Sequence, residues 1–266
     1  MYQRINVQRN GPILRIVLNR PEQLNCWDTN LNDELFGVLD QVADDPGVRI
    51  IVFTGAGRSF CAGGDIEEFK AGMERDAAAY ISQIVRKSHE IILQVRKLGK
   101  LTIAAVNGVA AGSGFNLMLA CDFKIVVASA RFSQRFVRVG LSPDTGGTFF
   151  LPQLLGLTRA TELLMTGDFV SAESALQWGL VNKVVPDDGL EAATQELIGR
   201  LSRSAFQALI ATKRLINQSC LSTLATQLEA EREAMMWSAT TKDFQEGVSA
   251  FLEKRAPQFA GKLNGL

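Results

Sequence analysis

The stretch from Leu101 to Asp122, LTIAAVNGVAAGSGFNLMLACD, constrains this chain more than any other. It opens with an apolar run, Leu101 to Val106, bounded by Gly108, and such a run predicts a buried strand. It then turns through Gly112-Ser113-Gly114 and closes on Phe115 to Ala120, an apolar segment of helical character. A small-residue turn at a helix start leaves backbone N–H groups without acceptors inside the helix, and the positive helix end adds to them. The turn is then an anion site, or a glycine turn used only for close packing; the stretch by itself leaves both open. A dinucleotide fingerprint is excluded, because Leu117 stands where its third glycine would fall.

The 266 residues allow one large domain, or a domain with an appendage, around a sizeable core. Formal net charge is zero and there is no basic block, which argues against nucleic acid or an anionic membrane as the main partner. No apolar run approaches the length of a membrane span, and MYQRINVQRNGPILRI lacks a signal-peptide core, so a cytoplasmic location is expected. Cys26, Cys61, Cys121 and Cys220 are far apart and form no CxxC pair. With a single histidine in the chain, they predict free thiols in a reducing compartment rather than a zinc cluster.

Along the chain, residues 2–8 and 13–18 flank Asn10-Gly11 and predict a hairpin. Asp28 or Thr29 caps a helix running to about Ala43, and Arg49 to Phe53 predicts a strand. SFCAGGDIEEF places Gly63-Gly64 in a loop ahead of Asp65, and Glu68 three residues on gives a capping-box arrangement. A helix is expected from about Tyr80 to Leu98, with His89 a surface or hydrogen-bonded residue rather than a catalyst. Phe123 to Ala128 predicts a strand, 158–166 and 171–178 short helices, and Val181 to Val185 a strand ended by Pro186. From about Glu191 to Arg255 everything predicts helix. Strands give way to helix alone near residue 200, so a core of 1–200 with the pocket and a helical region of 201–266 are expected. Leu221, Leu224, Leu228 and Met235 fall roughly on one face of that region, as core or as a subunit contact.

Two glycine-rich helix starts therefore exist, one ending at Asp65 and one beginning at Ser113. If both face one pocket, two backbone N–H groups converge on a single oxygen, as stabilising a developing oxyanion requires. The segments LNRPEQLNCWD, TGAGRSFCAGGDI, AAVNGVAAGSGFNLMLACD, GLSPDTGGTFFLPQLLG, WGLVNKVVP and PQFAGK span nearly the whole chain. Through them, in this order, it resembles the enoyl-CoA hydratase/isomerase (crotonase) superfamily. The resemblance implies an α/β fold, a spiral of ββα turns whose C-terminal helices assemble a homotrimer or homohexamer. It also implies an acyl-CoA thioester substrate, of which coenzyme A is a part, with no separate cofactor and no metal. It assigns the oxyanion donors to the N–H groups of Gly64 and Ser113, whose side chains are immaterial to that role. Coenzyme A is implied to lie near the backbone of Asn25 and Cys26 and near Ala62, Asp65 and Ile66. Phe259 and Lys262 are implied to reach it from the C-terminus, with a solvated tail charge the competing view of Lys262. Asp65 is expected to act as helix cap as well.

The chain departs from the family's hydratases, which use two glutamates; at the matching positions stand Asn116 and Phe136. Hydration needs a water held between two carboxylates, one to activate it and one to deliver a proton. Asparagine exchanges no proton usefully and phenylalanine holds no water, so efficient hydration is not expected. Asp144, in GLSPDTGGTFFLPQ, is accounted for by turn chemistry alone as a turn or N-cap residue. The resemblance instead places it where a subset of the family's isomerases carries its only acid–base group. These include Δ3,Δ2-enoyl-CoA isomerases and the phenylacetate-pathway ring-1,2-epoxide isomerase, which GLSPDTGGTFFLPQ and EGVSAFLEKRAPQFAGK most resemble. Phe136, Val137 and Leu141 are expected to exclude water and strengthen the base. The expectation is an isomerase with Asp144 as proton shuttle; a hydratase, and an acyl-CoA-binding protein without turnover, are the alternatives.

Overall fold

The computed structural model describes residues 2–259, apart from the side chains of Met73 and Arg75. The chain forms two compact units, Met1–Thr194 and Gln195–Leu266.

The first unit begins with an antiparallel hairpin of β1 (Ile5–Asn10) and β2 (Ile13–Leu18). Asn10 pairs with Ile13, so the two turn residues are Gly11 and Pro12 rather than Asn10 and Gly11. Helix α1 (Thr29–Ala43) is capped by Asp28, whose carboxylate accepts from Leu31 N at 2.7 Å. Three ββα turns follow: β3 (Ile50–Gly55), β4 (Ser59–Cys61) and α2 (Ile66–Lys97); β5 (Leu101–Val106), β6 (Val109–Ala111) and α3 (Ser113–Ala120); β7 (Phe123–Val127), β8 (Arg131–Ser133) and α4 (Gly147–Thr166). Next come β9 (Val170–Ser171), α5 (Ala172–Gln177) and β10 (Lys183–Val185).

The first strand of each turn enters a six-stranded sheet of order β1-β2-β3-β5-β7-β10, and the second enters a four-stranded sheet of order β4-β6-β8-β9. Strands β3, β5 and β7 are mutually parallel, as are β4, β6 and β8. All of β5 and most of β3 are buried, as a parallel strand covered on both faces requires, and both therefore read as unbroken apolar runs. Because β4, β6 and β8 lie side by side and each leads into a helix, the loops before α2, α3 and α4 gather at one edge of the smaller sheet. Carboxyl ends of parallel strands are where such folds bind ligands.

Three local features differ from expectation. Helix α2 starts at Ile66, well before Tyr80, and is broken at Asp76 (φ −151°, ψ 98°). Helix α4 starts at Gly147, before residue 158, because Gly147, Pro152 and the break at Gly156 obscure its period in the sequence. Asp65 does cap α2, accepting from Glu67 N and Glu68 N at 3.0 and 3.2 Å, but the box is not reciprocal. Its own N–H donates to Trp27 O, and the Glu68 carboxylate accepts from Thr29 N at 3.1 Å, tying α2 to the start of α1.

Helix α6 (Leu190–Ser202) spans the division between the units. The second unit continues with α7 (Phe206–Ser219), α8 (Leu224–Ala239) and α9 (Lys242–Leu252) and has no strand among its described residues. Leu221, Leu224, Leu228 and Met235 are all exposed, so that stripe is not core within the chain. No helix among the described residues is long and apolar enough to cross a membrane.

Candidate active site

Two loops of the first unit touch at a pair of glycines. Gly63 (φ 97°) and Gly112 (φ 51°) take backbone conformations that L side chains avoid. A Cβ on Gly63 would stand 3.1 Å from Ala111 O, and one on Gly112 would stand 3.6 Å from the Gly63 Cα. The absence of a side chain at Gly63 lets the loops close, and Gly64 and Ser113 both stand on the wall of one cavity of about 490 Å³. Neither of their N–H groups takes part in the local backbone pairing. The bridge beside Gly64 runs from Trp27 N to Gly63 O at 2.8 Å and from Asp65 N to Trp27 O at 3.0 Å. Ser113 is the first residue of α3, where N–H groups have no acceptor in the helix and the dipole is positive. Two such donors on one wall make an oxyanion-binding arrangement.

The third ββα turn supplies an acid. Asp144 lines the same cavity and is the only carboxylate to do so among the described residues. It is not the cap of α4: that position is Gly146, with no side-chain capping bond. Asp144 Oδ1 accepts from Thr145 Oγ1 at 2.8 Å. Burial raises the Asp144 pKa above the usual carboxylate range, opposed by the Thr145 hydroxyl, the charge of His89, the Ser113 hydroxyl and its own N–H.

A family model described as enoyl-CoA hydratase/isomerase matches residues 8–262. The chain belongs to the enoyl-CoA hydratase/isomerase family. It is 40% identical over 250 residues to the 1,2-epoxyphenylacetyl-CoA isomerase of Escherichia coli (strain K12), covering 94% of this chain and 95% of that one. It is 36% identical to the trans-2-decenoyl-[acyl-carrier-protein] isomerase of Streptococcus mutans, covering 95% of this chain and 96% of the other. Among solved structures, an enoyl-CoA hydratase from Bacillus anthracis matches with a TM-score of 0.91 at 36% identity, covering 98% of this chain and 100% of that chain. The α/β spiral is thus the crotonase fold, and the protein is an enzyme of that superfamily.

In this hydratase/isomerase-family chain, Ala62, Ile66 and Phe136 line the cavity together with Gly64, Ser113 and Asp144. Leu141 and Val139 join them, whereas Val137 does not. Asn116 is not on the wall: it is fully buried, and its Nδ2 donates to Asp144 O and to Thr145 Oγ1, both at 2.9 Å. Its Oδ1 accepts from Gln134 Nε2 at 2.6 Å, so Asn116 stands behind the loop of Asp144. Asn25 and Cys26 are also off the wall. The Asn25 side chain accepts from Arg20 N and donates to Ala56 O and Ser59 O, and burial raises the Cys26 thiol. Asp65 caps α2 and pairs with Arg20 at 2.9 Å; burial pushes it up, but Arg20 and the N–H groups of Glu68 and Glu67 leave it below the usual carboxylate range.

Phe259 lies in the second unit, in an apolar groove with Phe244, Val248 and Phe251, and Lys262 falls outside the described residues. His89 is exposed, as expected of a surface residue, and it lines the cavity from α2 beside Ile81, Ile84, Val85 and Ser88. Its spacing of four and eight residues from Val85 and Ile81 is the signal that places it on their face of the helix. Among the described residues no group of three or more His, Cys, Asp or Glu is arranged to hold a metal.

Proposed function

We propose that the protein is an acyl-CoA isomerase in which Asp144 is the single proton shuttle. The observation that carries this reading is that Asp144 is the one carboxylate among the described residues of the cavity wall. Of the two positions where hydratase glutamates are implied, Asn116 lies buried behind the Asp144 loop and Phe136 offers only an aromatic ring. A water therefore lacks the second carboxylate that hydration needs.

The thioester carbonyl oxygen accepts from Gly64 N and Ser113 N. The Asp144 carboxylate removes a proton from C2 of a 3-enoyl thioester, and the electron pair of that C–H bond passes into an enolate held by the two donors. The Asp144 carboxylic acid then gives the proton to C4. The double bond moves from C3–C4 to C2–C3, into conjugation, with no atom gained or lost. Burial and the apolar wall of Phe136, Val139 and Leu141 support the base by disfavouring its charged form. Similarity to the 1,2-epoxyphenylacetyl-CoA isomerase of Escherichia coli favours a second substrate, a ring-1,2-epoxide thioester. The same hole and carboxylate would assist its rearrangement to a seven-membered oxygen heterocycle. A panel of acyl-CoA thioesters read by mass spectrometry tests the reading. Isomerisation leaves the substrate mass unchanged, and a product heavier by one water would contradict it.

A further inference from the structure

The loop that carries Asp144 is held in a conformation its sequence resists. Gly147 N donates to Asp144 O at 3.3 Å, closing a reverse turn over Thr145 (φ 48°) and Gly146 (φ 90°, ψ 6°). Positive φ at both central residues marks a type I′ turn, which Asn, Asp and Gly populate readily. Threonine branches at Cβ and is an outlier there. Its side chain is buried, so the surface gives no reason for its presence.

The hydrogen bonds supply one. Asn116 Nδ2 donates one proton to Asp144 O, a carbonyl that can only accept, and this fixes which way the amide faces. Its other proton goes to Thr145 Oγ1, while Gln134 Nε2 donates to the opposite end of the same amide. With one lone pair of the Thr145 hydroxyl occupied, its single proton is left for Asp144 Oδ1, 2.8 Å away. Every member of the chain Gln134–Asn116–Thr145 is essentially inaccessible to solvent.

We propose that Thr145 is a positioning residue for Asp144, oriented by Asn116 and Gln134, and that the turn tolerates its strained backbone to place a hydroxyl against the base. The proposal rests on Asp144 being the proton shuttle. Glycine would relax the turn but leave the carboxylate free to rotate; serine keeps the hydroxyl with less crowding at Cβ. A strained residue that over-determined surroundings hold beside reactive groups is a recurrent feature of active sites.

The test compares Thr145→Gly, Thr145→Ser and Asp144→Asn in melting temperature and in isomerisation of a 3-enoyl-CoA across pH. Charged and titratable groups on the same wall are His89 from α2 and Arg135 and Arg138 from the turn before the loop. All three are unchanged in every variant, so differences from wild type report on Asp144. Thr145→Gly is expected to melt at or above wild type, lose about tenfold or more in kcat with KM little changed, and need higher pH for half-maximal kcat. Thr145→Ser is expected to retain the wild-type kcat and pH profile. If Thr145→Gly keeps full activity and an unshifted profile while Asp144→Asn is inactive, the positioning role is overturned and the reading of Asp144 survives. If Thr145→Gly loses melting temperature and activity together and serine does not restore them, Thr145 is a structural residue only. If Asp144→Asn stays active, both assignments fall.

Discussion

Asp144 sits where its charge is unwelcome, and that gives it a measurable signature in stability as well as in rate. Its folded-state pKa is raised by burial, so the folded protein holds this proton more tightly than the unfolded chain. The stability from that proton is complete below the unfolded pKa, about 4, and is lost as pH rises through the folded value. At neutral pH the ionised side chain therefore weakens the fold relative to an amide of the same shape. Asp144→Asn is expected to melt at or above wild type at pH 7, with the advantage fading as pH falls through the folded pKa and gone by about pH 4. Scanning calorimetry across pH checks this, and a lower melting temperature at pH 7 would point to a structural role. Ser113→Ala removes one of the hydroxyls that oppose the burial effect but keeps the backbone donor. It is expected to move half-maximal kcat to higher pH while leaving the plateau within about tenfold of wild type.

At the scale of elements, the oxyanion loop is built from close backbone approach and one shared ion pair. Arg20 Nη1 lies 3.1 Å from Asp28, the cap of α1, and 2.9 Å from Asp65, the cap of α2, and so fastens both helix starts around the loop of Gly64. Asp65→Ala removes a cap worth about 1 kcal/mol and leaves a largely buried arginine with one partner fewer. A loss of about 2–4 kcal/mol in urea unfolding is expected, and a loss no larger than an exposed cap's would show that Arg20 does not couple the two helices. Gly112→Ala strains a turn at positive φ, while its methyl group would meet the Phe136 ring at ordinary contact distance, 3.5 Å from Cζ. It is expected to lower kcat/KM for a thioester more than it lowers melting temperature, as steady-state kinetics will show.

These same elements show which parts of the site were legible in the sequence. Gly63-Gly64, Gly112-Ser113 and Asp65 carry local signals, since turn and cap chemistry acts over a few residues, and each stands in the loop or helix start expected of it. Asn116 and His89 depend on contacts between elements. Asn116 meets Thr145 and Gln134 only because α3 packs against the next ββα turn. His89 stands on the stretch of α2 that hydrophobic spacing does predict, but its place opposite the loops of Gly64, Ser113 and Asp144 depends on how those elements pack together. Glu68 has the spacing of a capping box, yet its carboxylate is taken by Thr29 from another helix.

At the scale of the whole molecule, the ββα spiral places successive loops side by side, so three residues far apart in the chain, Gly64, Ser113 and Asp144, come to share one wall. The second unit exposes Leu224, Leu228, Met235, Met236, Trp237, Phe244, Phe251 and Leu252. Apolar surface on that scale marks an interface, and we propose that copies of this chain assemble through it as a homotrimer or homohexamer. Light scattering at micromolar concentration is expected to give a multiple of 29.0 kDa, and a stable monomer would count against the assembly. The central claim, that one carboxylate moves a proton along a thioester, is tested most directly by incubating wild type and Asp144→Asn with a 3-enoyl-CoA in deuterated water. Mass and double-bond position are then read together. The account predicts a conjugated product with no added water and deuterium exchange at C2 in the wild type, with both lost in Asp144→Asn. Water addition by the wild type, or undiminished turnover and exchange in the variant, would contradict it.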